Sequence, residues 1–223
     1  MRMFSRLKYR YRVIRLLFAF YFLLFTGHAV ADGVKDPLHL FLTGLNSLES
    51  GFTQTLIGTT GTVLEEAAGV LYMQNPGKFY WAYQTPYIQS IITNGETLWI
   101  YDEDLEQVTI RNVSVSLNDT PAAILSGSEN LDAHYFVEDK GIIEGLNMYE
   151  LNPRNSENQF QRIHIGFHGK QLFMMVMYDN LGQITRVDFK DPVRNAVVDA
   201  SKFEFSLPEN VDIIDDRGKS STP

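Results

Sequence analysis

His164 and His168 stand four residues apart, the spacing that sets two imidazoles on one helical face as a metal pair. The segment they occupy, Arg162-Ile163-His164-Ile165-Gly166-Phe167, reads as a strand, where that spacing is roughly 13 Å, too far to share an ion. Asp102-Glu103-Asp104 gathers three carboxylates but falls where a hairpin turn is expected, the place of a solvated tip. Asp215-Asp216 falls in an expected frayed end. Ser126 and Ser128 flank Gly127 with no histidine close in sequence to activate either hydroxyl. The absence of cysteine removes thiol nucleophiles, disulfides, iron–sulfur clusters and thiolate zinc sites. We therefore expect no catalytic residue, no metal and no cofactor.

The apolar residues are more telling. In Lys78-Phe79-Tyr80-Trp81-Ala82-Tyr83 a strand would turn Phe79, Trp81 and Tyr83 to one face. Three large rings on one face are either ordinary core or the lining of a concave apolar cavity. Leu172-Phe173-Met174-Met175-Val176-Met177 is apolar on both faces of a strand. Alternation sets Leu172, Met174 and Val176 against Phe173, Met175 and Met177. Methionine is flexible and polarisable, which suits a surface that accepts acyl chains of varied shape. Either both faces are covered or one of them binds.

The elements that would position these residues are mostly strands. One helix is expected first: Asp36 is a good N-cap, Pro37 suits the first turn, and Leu38, Phe41, Leu42, Leu45 and Leu48 recur at helical spacing up to Gly51. Strands follow at residues 52–57, 62–73, 79–83 and 87–93, then at 98–101 and 108–113, with Asn94-Gly95 as a strong hairpin signal. Asn118-Asp119-Thr120-Pro121 begins a short helix through Ile124 and Leu125 to Gly127. Further strands are expected at 135–137, 148–151, 162–167, 172–178, 184–189 and 203–205. This order predicts one mainly antiparallel domain over residues 32–214, curved or barrel-like and covered on one side by helices, with a flexible tail at 215–223.

Residues 1–31 have the order of a cleaved signal peptide. Six basic residues from Arg2 to Arg15 precede the apolar run Leu16 to Phe25, and Ala29-Val30-Ala31 supplies a small-x-small cleavage site. With the leader removed, 13 basic residues face 27 acidic ones, a formal charge of −14. Such a surface repels nucleic acid and anionic headgroups. No later apolar run has membrane-spanning length, and without cysteine the chain cannot itself be acylated as a bacterial lipoprotein. We expect a soluble exported monomer.

Phe52-Thr53-Gln54, Asn75-Pro76-Gly77-Lys78-Phe79-Tyr80-Trp81, Asn94-Gly95, Leu98-Trp99-Ile100-Tyr101-Asp102 and Leu105-Glu106-Gln107-Val108 occur in an order and spacing that resembles the LolA family of periplasmic outer-membrane lipoprotein carriers. Thr120-Pro121 and Val198-Asp199-Ala200-Ser201-Lys202-Phe203-Glu204-Phe205 extend the match over nearly the whole exported chain. The resemblance implies an incomplete, open antiparallel β-barrel with a helical lid over an apolar cavity. It implies a periplasmic chaperone for the acyl chains of triacylated lipoproteins. These would be received from an inner-membrane ABC-type release complex and passed to an outer-membrane receptor.

By the same resemblance Phe79, Trp81 and Tyr83 line the inner barrel wall, Leu42 of the first helix and Leu125 of the second are lid residues, and Met174 faces them from the sheet. Leu45, Ile91 and Ile124 are expected with them in the acyl-chain cavity. Asn75 stands where the family often has a lid-latching arginine. Asparagine hydrogen-bonds but lacks the charge and five-donor fork. A sensor module on a similar half-barrel and a hydrolase are the other readings. A second domain would favour the sensor, and saturable ester turnover the hydrolase. No Gly-x-x-x-x-Gly-Lys-Ser/Thr run is present, so the energy for loading must come from outside the chain.

Overall fold

The structure is a computed structural model that describes residues 37–113, 124–125, 131–155 and 158–217. The expected signal peptide, the Asp36 cap, the Asp119-capped helix start and Ser126-Gly127-Ser128 lie outside them. Helix α1 (Pro37–Leu42) is followed by β1 (Ser47–Ile57), β2 (Val63–Gln74), β3 (Lys78–Thr85), β4 (Gln89–Asn94), β5 (Thr97–Asp102) and β6 (Gln107–Asn112). After the four-residue α2 (Leu131–His134) come β7 (Tyr135–Ile143), β8 (Leu146–Pro153), β9 (Phe160–His168), β10 (Gln171–Asp179) and β11 (Ile184–Arg194). A 3-10 turn, Ala200–Phe203, leads to β12 (Asp212–Asp215).

The strands form one open sheet in the order β12-β6-β5-β4-β3-β2-β1-β11-β10-β9-β8-β7. Neighbours are antiparallel throughout except β12, which lies parallel to β6. The expected antiparallel, barrel-like but incomplete sheet is present, and among the described residues its two edge strands do not pair. No described helix is long and apolar enough to cross a membrane.

Alternation gives the sheet an inner and an outer face. The inner face, against which α1 packs, carries one continuous buried cluster with Leu48, Phe52, Leu71, Phe79, Trp81, Leu98, Leu151, Ile163, Phe167 and Met175. The outer face of β2 to β5 is covered by the chain after Asp199. Phe205 stacks on Trp99 and Tyr101 at 6.0 and 5.8 Å, and the Lys202 ammonium sits 4.9 Å from the Tyr72 ring.

Four expectations are corrected. The first helix stops at Leu42 and not at Gly51, because Gly44 takes a left-handed conformation (φ +66°) and residues from Ser47 pair between β2 and β11. Leu45 therefore lies in the connecting loop and Leu48 in β1. Residues 203–205 are not a strand: Asp199 caps the 3-10 turn by accepting from the Ser201 amide at 3.0 Å. The end is not frayed at Asp215, since β12 includes that residue and the Asp216 amide donates to the Ile110 carbonyl at 2.9 Å. Finally, simple alternation fails in β10. A register shift between Leu172 and Met174 puts Leu172 on the same face as Met175 and Met177.

Candidate functional site

The inner face of β1 to β3 is built on a stack of rings. Phe52 from β1 meets Trp81 from β3 at 4.3 Å between centroids and Tyr83 edge-on at 5.5 Å. Gly69 of β2 permits this. A Cβ there would lie 3.0 Å from the Phe52 ring and 1.8 Å from the Ala82 carbonyl oxygen, at the point where the β2–β3 register shifts. Toward α1, Phe41 packs on Phe167 of β9 at 5.4 Å, and Tyr149 of β8 meets Phe167 edge-on at 5.9 Å.

Of the residues expected to line the cavity, Leu42, Leu45, Phe79, Trp81, Tyr83, Ile124 and Leu125 belong to this one buried cluster, and Ile91 packs against it half-buried. Met174 does not. It lies on the outer face in a small cluster with Met148 and Val176, flanked by Leu146, Tyr178 and Ile184. Its place on the inner face is taken by Met175 and Met177 because of the shift at Phe173. Gly166 is the floor of that outer cluster, where a Cβ would meet Met148 and Met174 at 2.9 Å.

The inner face also carries a polar band that the sequence reading missed. Tyr83 donates its hydroxyl to Gln54 Oε1 at 3.1 Å, and Tyr87 donates to Glu65 Oε1 at 2.7 Å. Burial pushes the Tyr83 hydroxyl above its ordinary range, offset in part by the Trp81 indole and Gln54. Tyr87 is raised strongly, first by burial and then by the Glu65 carboxylate that holds its proton. The indole of Trp81 lies near enough to Tyr83 to favour its ionised form. It nevertheless makes no hydrogen bond of acceptable geometry, and its Nε1 is buried without a partner.

Three side chains hold the segment from α1 to β1. Asn75 donates from Nδ2 to the Leu45 carbonyl at 2.6 Å, and its backbone N–H to the Asn46 carbonyl at 2.8 Å. Arg194, at the end of β11, donates from Nε to the Phe41 carbonyl at 2.9 Å and from its second nitrogen to the Thr43 carbonyl. Asn195 accepts from the Asn46 amide at 2.8 Å and donates to the Gly44 carbonyl at 3.2 Å. These bonds satisfy carbonyls that a helix C-terminus leaves open. Arg194 and Asn195 lie about 150 residues from their partners, so no local signal announced them.

The polar residues singled out for chemistry are engaged elsewhere. His164 meets Glu150 Oε2 at 2.9 Å across β8 and β9, and that contact, with Asn152, holds the Glu150 carboxyl below its ordinary range. Asp102 caps the β5–β6 turn by accepting from the Leu105 amide at 3.0 Å.

An open antiparallel sheet, one face of which carries a continuous buried apolar cluster with a short helix packed into it, defines an open half-barrel. Comparison with known proteins makes the class specific. The family model described as outer membrane lipoprotein carrier protein LolA matches residues 43–206, and the chain belongs to that family. Proteins named outer-membrane lipoprotein carrier protein match over most of this chain and most of their own length. The one from Methylococcus capsulatus is 38% identical over 183 residues, 82% of this chain and 88% of that relative. The one from Bordetella avium is 35% identical over 205 residues, 92% and 98% of the two chains. Among solved structures, an uncharacterized conserved protein of Thermus thermophilus shares the fold at a TM-score of 0.50 and 12% identity, over 81% of this chain and 95% of that one. It is a family of carriers and not of enzymes.

Proposed function

We propose that this protein is a periplasmic carrier that takes up the acyl chains of lipoproteins leaving the inner membrane and delivers them to the outer membrane. The observation that carries the reading is the single inner-face cluster, which α1, Ile124 and Leu125 close by burying their own apolar side chains. Acyl chains in water carry roughly 0.8 kcal/mol of unfavourable exposure per methylene, so their transit requires a covered apolar surface. A site closed by the carrier's own side chains binds less tightly than an empty one, because cargo must displace them. That keeps release possible.

In this reading α1 and the Ile124–Leu125 segment act as the lid, and Phe79, Trp81, Tyr83 and Ile91 as the wall. Asn75 contributes to the latch from one side, and Arg194 and Asn195 from the other. An inner-membrane ABC-type release complex supplies triacylated lipoproteins, and an outer-membrane receptor accepts them. The test is incubation of the purified protein with vesicles holding that release complex and a labelled lipoprotein. Soluble lipoprotein bound one-to-one supports the carrier. If the folded protein releases nothing where another carrier succeeds in parallel, the reading fails.

A further inference from the structure

Trp81 is 3% exposed, faces the inner cluster, and among the described residues its Nε1–H has no acceptor. An indole N–H can only donate. Buried donors are nearly always paired in native proteins, and an unpaired one at a binding surface asks what pairs it. The Tyr83 oxygen, whose own proton goes to Gln54, keeps lone pairs that can accept, and the indole acts on it electrostatically, yet no hydrogen bond of acceptable geometry joins the two. The Tyr87 hydroxyl donates to Glu65. Phe52 covers the indole at 4.3 Å and offers only a ring.

We propose that the Trp81 indole N–H donates a hydrogen bond to an ester carbonyl oxygen of a bound acyl group, fixing how deeply the chain enters the inner face. This rests on the carrier reading and adds a polar anchor to its apolar site. The partner must be an acceptor, which excludes the hydrocarbon part of the chain. A single N–H lacks the fork that phosphate or carboxylate recognition uses, and the Glu65 carboxylate in the adjoining band opposes a second anion. A neutral carbonyl remains, the acceptor that every glyceryl ester places at the head of its chain. The anchor therefore favours acyl esters over free fatty acids and over plain hydrocarbon.

The chain has two tryptophans, Trp81 and Trp99, so nitrogen-15 labelling of the indoles gives two side-chain signals. Trp99 stacks on Phe205 at the outer face and serves as the internal reference. The probes are a synthetic peptide with an N-terminal S-(2,3-diacylglyceryl)cysteine and its dialkyl ether counterpart of equal chain length. We expect the ester peptide to move the Trp81 indole proton downfield while Trp99 stays. The ether peptide should bind about three- to tenfold more weakly, the worth of one net hydrogen bond, and leave Trp81 in place. Equal affinity with an unmoved indole overturns the anchor and leaves the carrier intact. Equal downfield shifts with both peptides also overturn it, because the acceptor is then not an ester carbonyl. If neither peptide binds, the carrier reading fails and the anchor with it.

Discussion

Arg194→Met removes both donors that Arg194 gives to the end of α1 while keeping an unbranched stem. A hydrogen bond involving a charged group contributes about 1.5–3 kcal/mol when buried. Arg194 is exposed, so solvent screens it and water replaces it at the Phe41 and Thr43 carbonyls. Screening brings each bond below that range, to about 1 kcal/mol at most. Asn75 and Asn195 keep their hold on Leu45, Gly44 and Asn46. The free energy that keeps α1 seated should therefore fall by about 1–2 kcal/mol, a roughly 5- to 30-fold rise in the fraction of time it is displaced.

If cargo enters only when α1 moves aside, apparent affinity for a diacylglyceryl peptide should rise by the same factor. Hydrogen exchange reports the first quantity at two amides: Thr43, bonded to the His39 carbonyl at 2.8 Å, and Leu45, bonded to the Leu42 carbonyl at 3.1 Å. Titration with the peptide reports the second. Arg186→Met is the control, since Arg186 pairs with Asp188 on the outer face. Unchanged protection at Thr43 and Leu45 would show that Arg194 does not seat the helix. Lower protection with unchanged affinity would refute displacement of α1 as the entry step.

Three further perturbations separate fold from function. Gly69→Ala drives a Cβ into the Ala82 carbonyl and should cost about 3 kcal/mol in urea unfolding, whereas Gly51→Ala, with its nearest contact at 3.4 Å, should cost under about 1 kcal/mol; equal costs would mean the β2–β3 shift is not needed. Glu150 has a lowered folded pKa, chiefly through His164, so its contribution is present above the ordinary carboxylate value and is lost as pH falls through the folded value. Urea midpoints measured from pH 6 to pH 3 should fall more steeply for the wild type than for Glu150→Gln, and parallel curves would remove the pair from the stability account. Leu125→Glu places an unpaired charge in the inner cluster and should abolish peptide binding in folded protein; retained binding would exclude Leu125 from the site.

Much of the sheet was legible because its strands carry period-two patterns separated by turn residues, as at the β4–β5 hairpin beside Asn94-Gly95. The misreadings have specific physical causes. Leu38, Phe41, Leu42, Leu45 and Leu48 all bury, so their helical spacing survives the end of the helix at Gly44 even though Leu48 is already on a strand. Met174 and Met175 are both apolar, so the shift at Phe173 leaves no mark in the hydrophobic pattern while exchanging which methionine faces inward. Tethers such as Arg194 to Phe41 and Asn195 to Asn46 depend on chain closure over long separations, and the unpaired indole of Trp81 depends on where every neighbouring acceptor points. The family resemblance reached Asn75 but not its partner, the Leu45 carbonyl.

An open sheet has to explain why it does not polymerise through its edges. β12 is only four residues long and begins and ends with Asp212 and Asp215. At the opposite edge, β7 carries Glu138, Asp139 and Lys140 at exposed positions and a bulge between Asp139 and Gly141, which breaks a continuous pairing template. Short length, charge and a bulge let the sheet stay open without closure into a barrel. For a carrier that openness has a use. A closed barrel admits chains only through its ends, whereas two separated edges leave the inner face reachable along its length. The cargo proposed here keeps its acyl chains attached to a protein too large to enter, so the chains must go in from the side while the protein stays outside. The charged edges that guard against self-association are thus what permits the sheet to remain unclosed for its ligand.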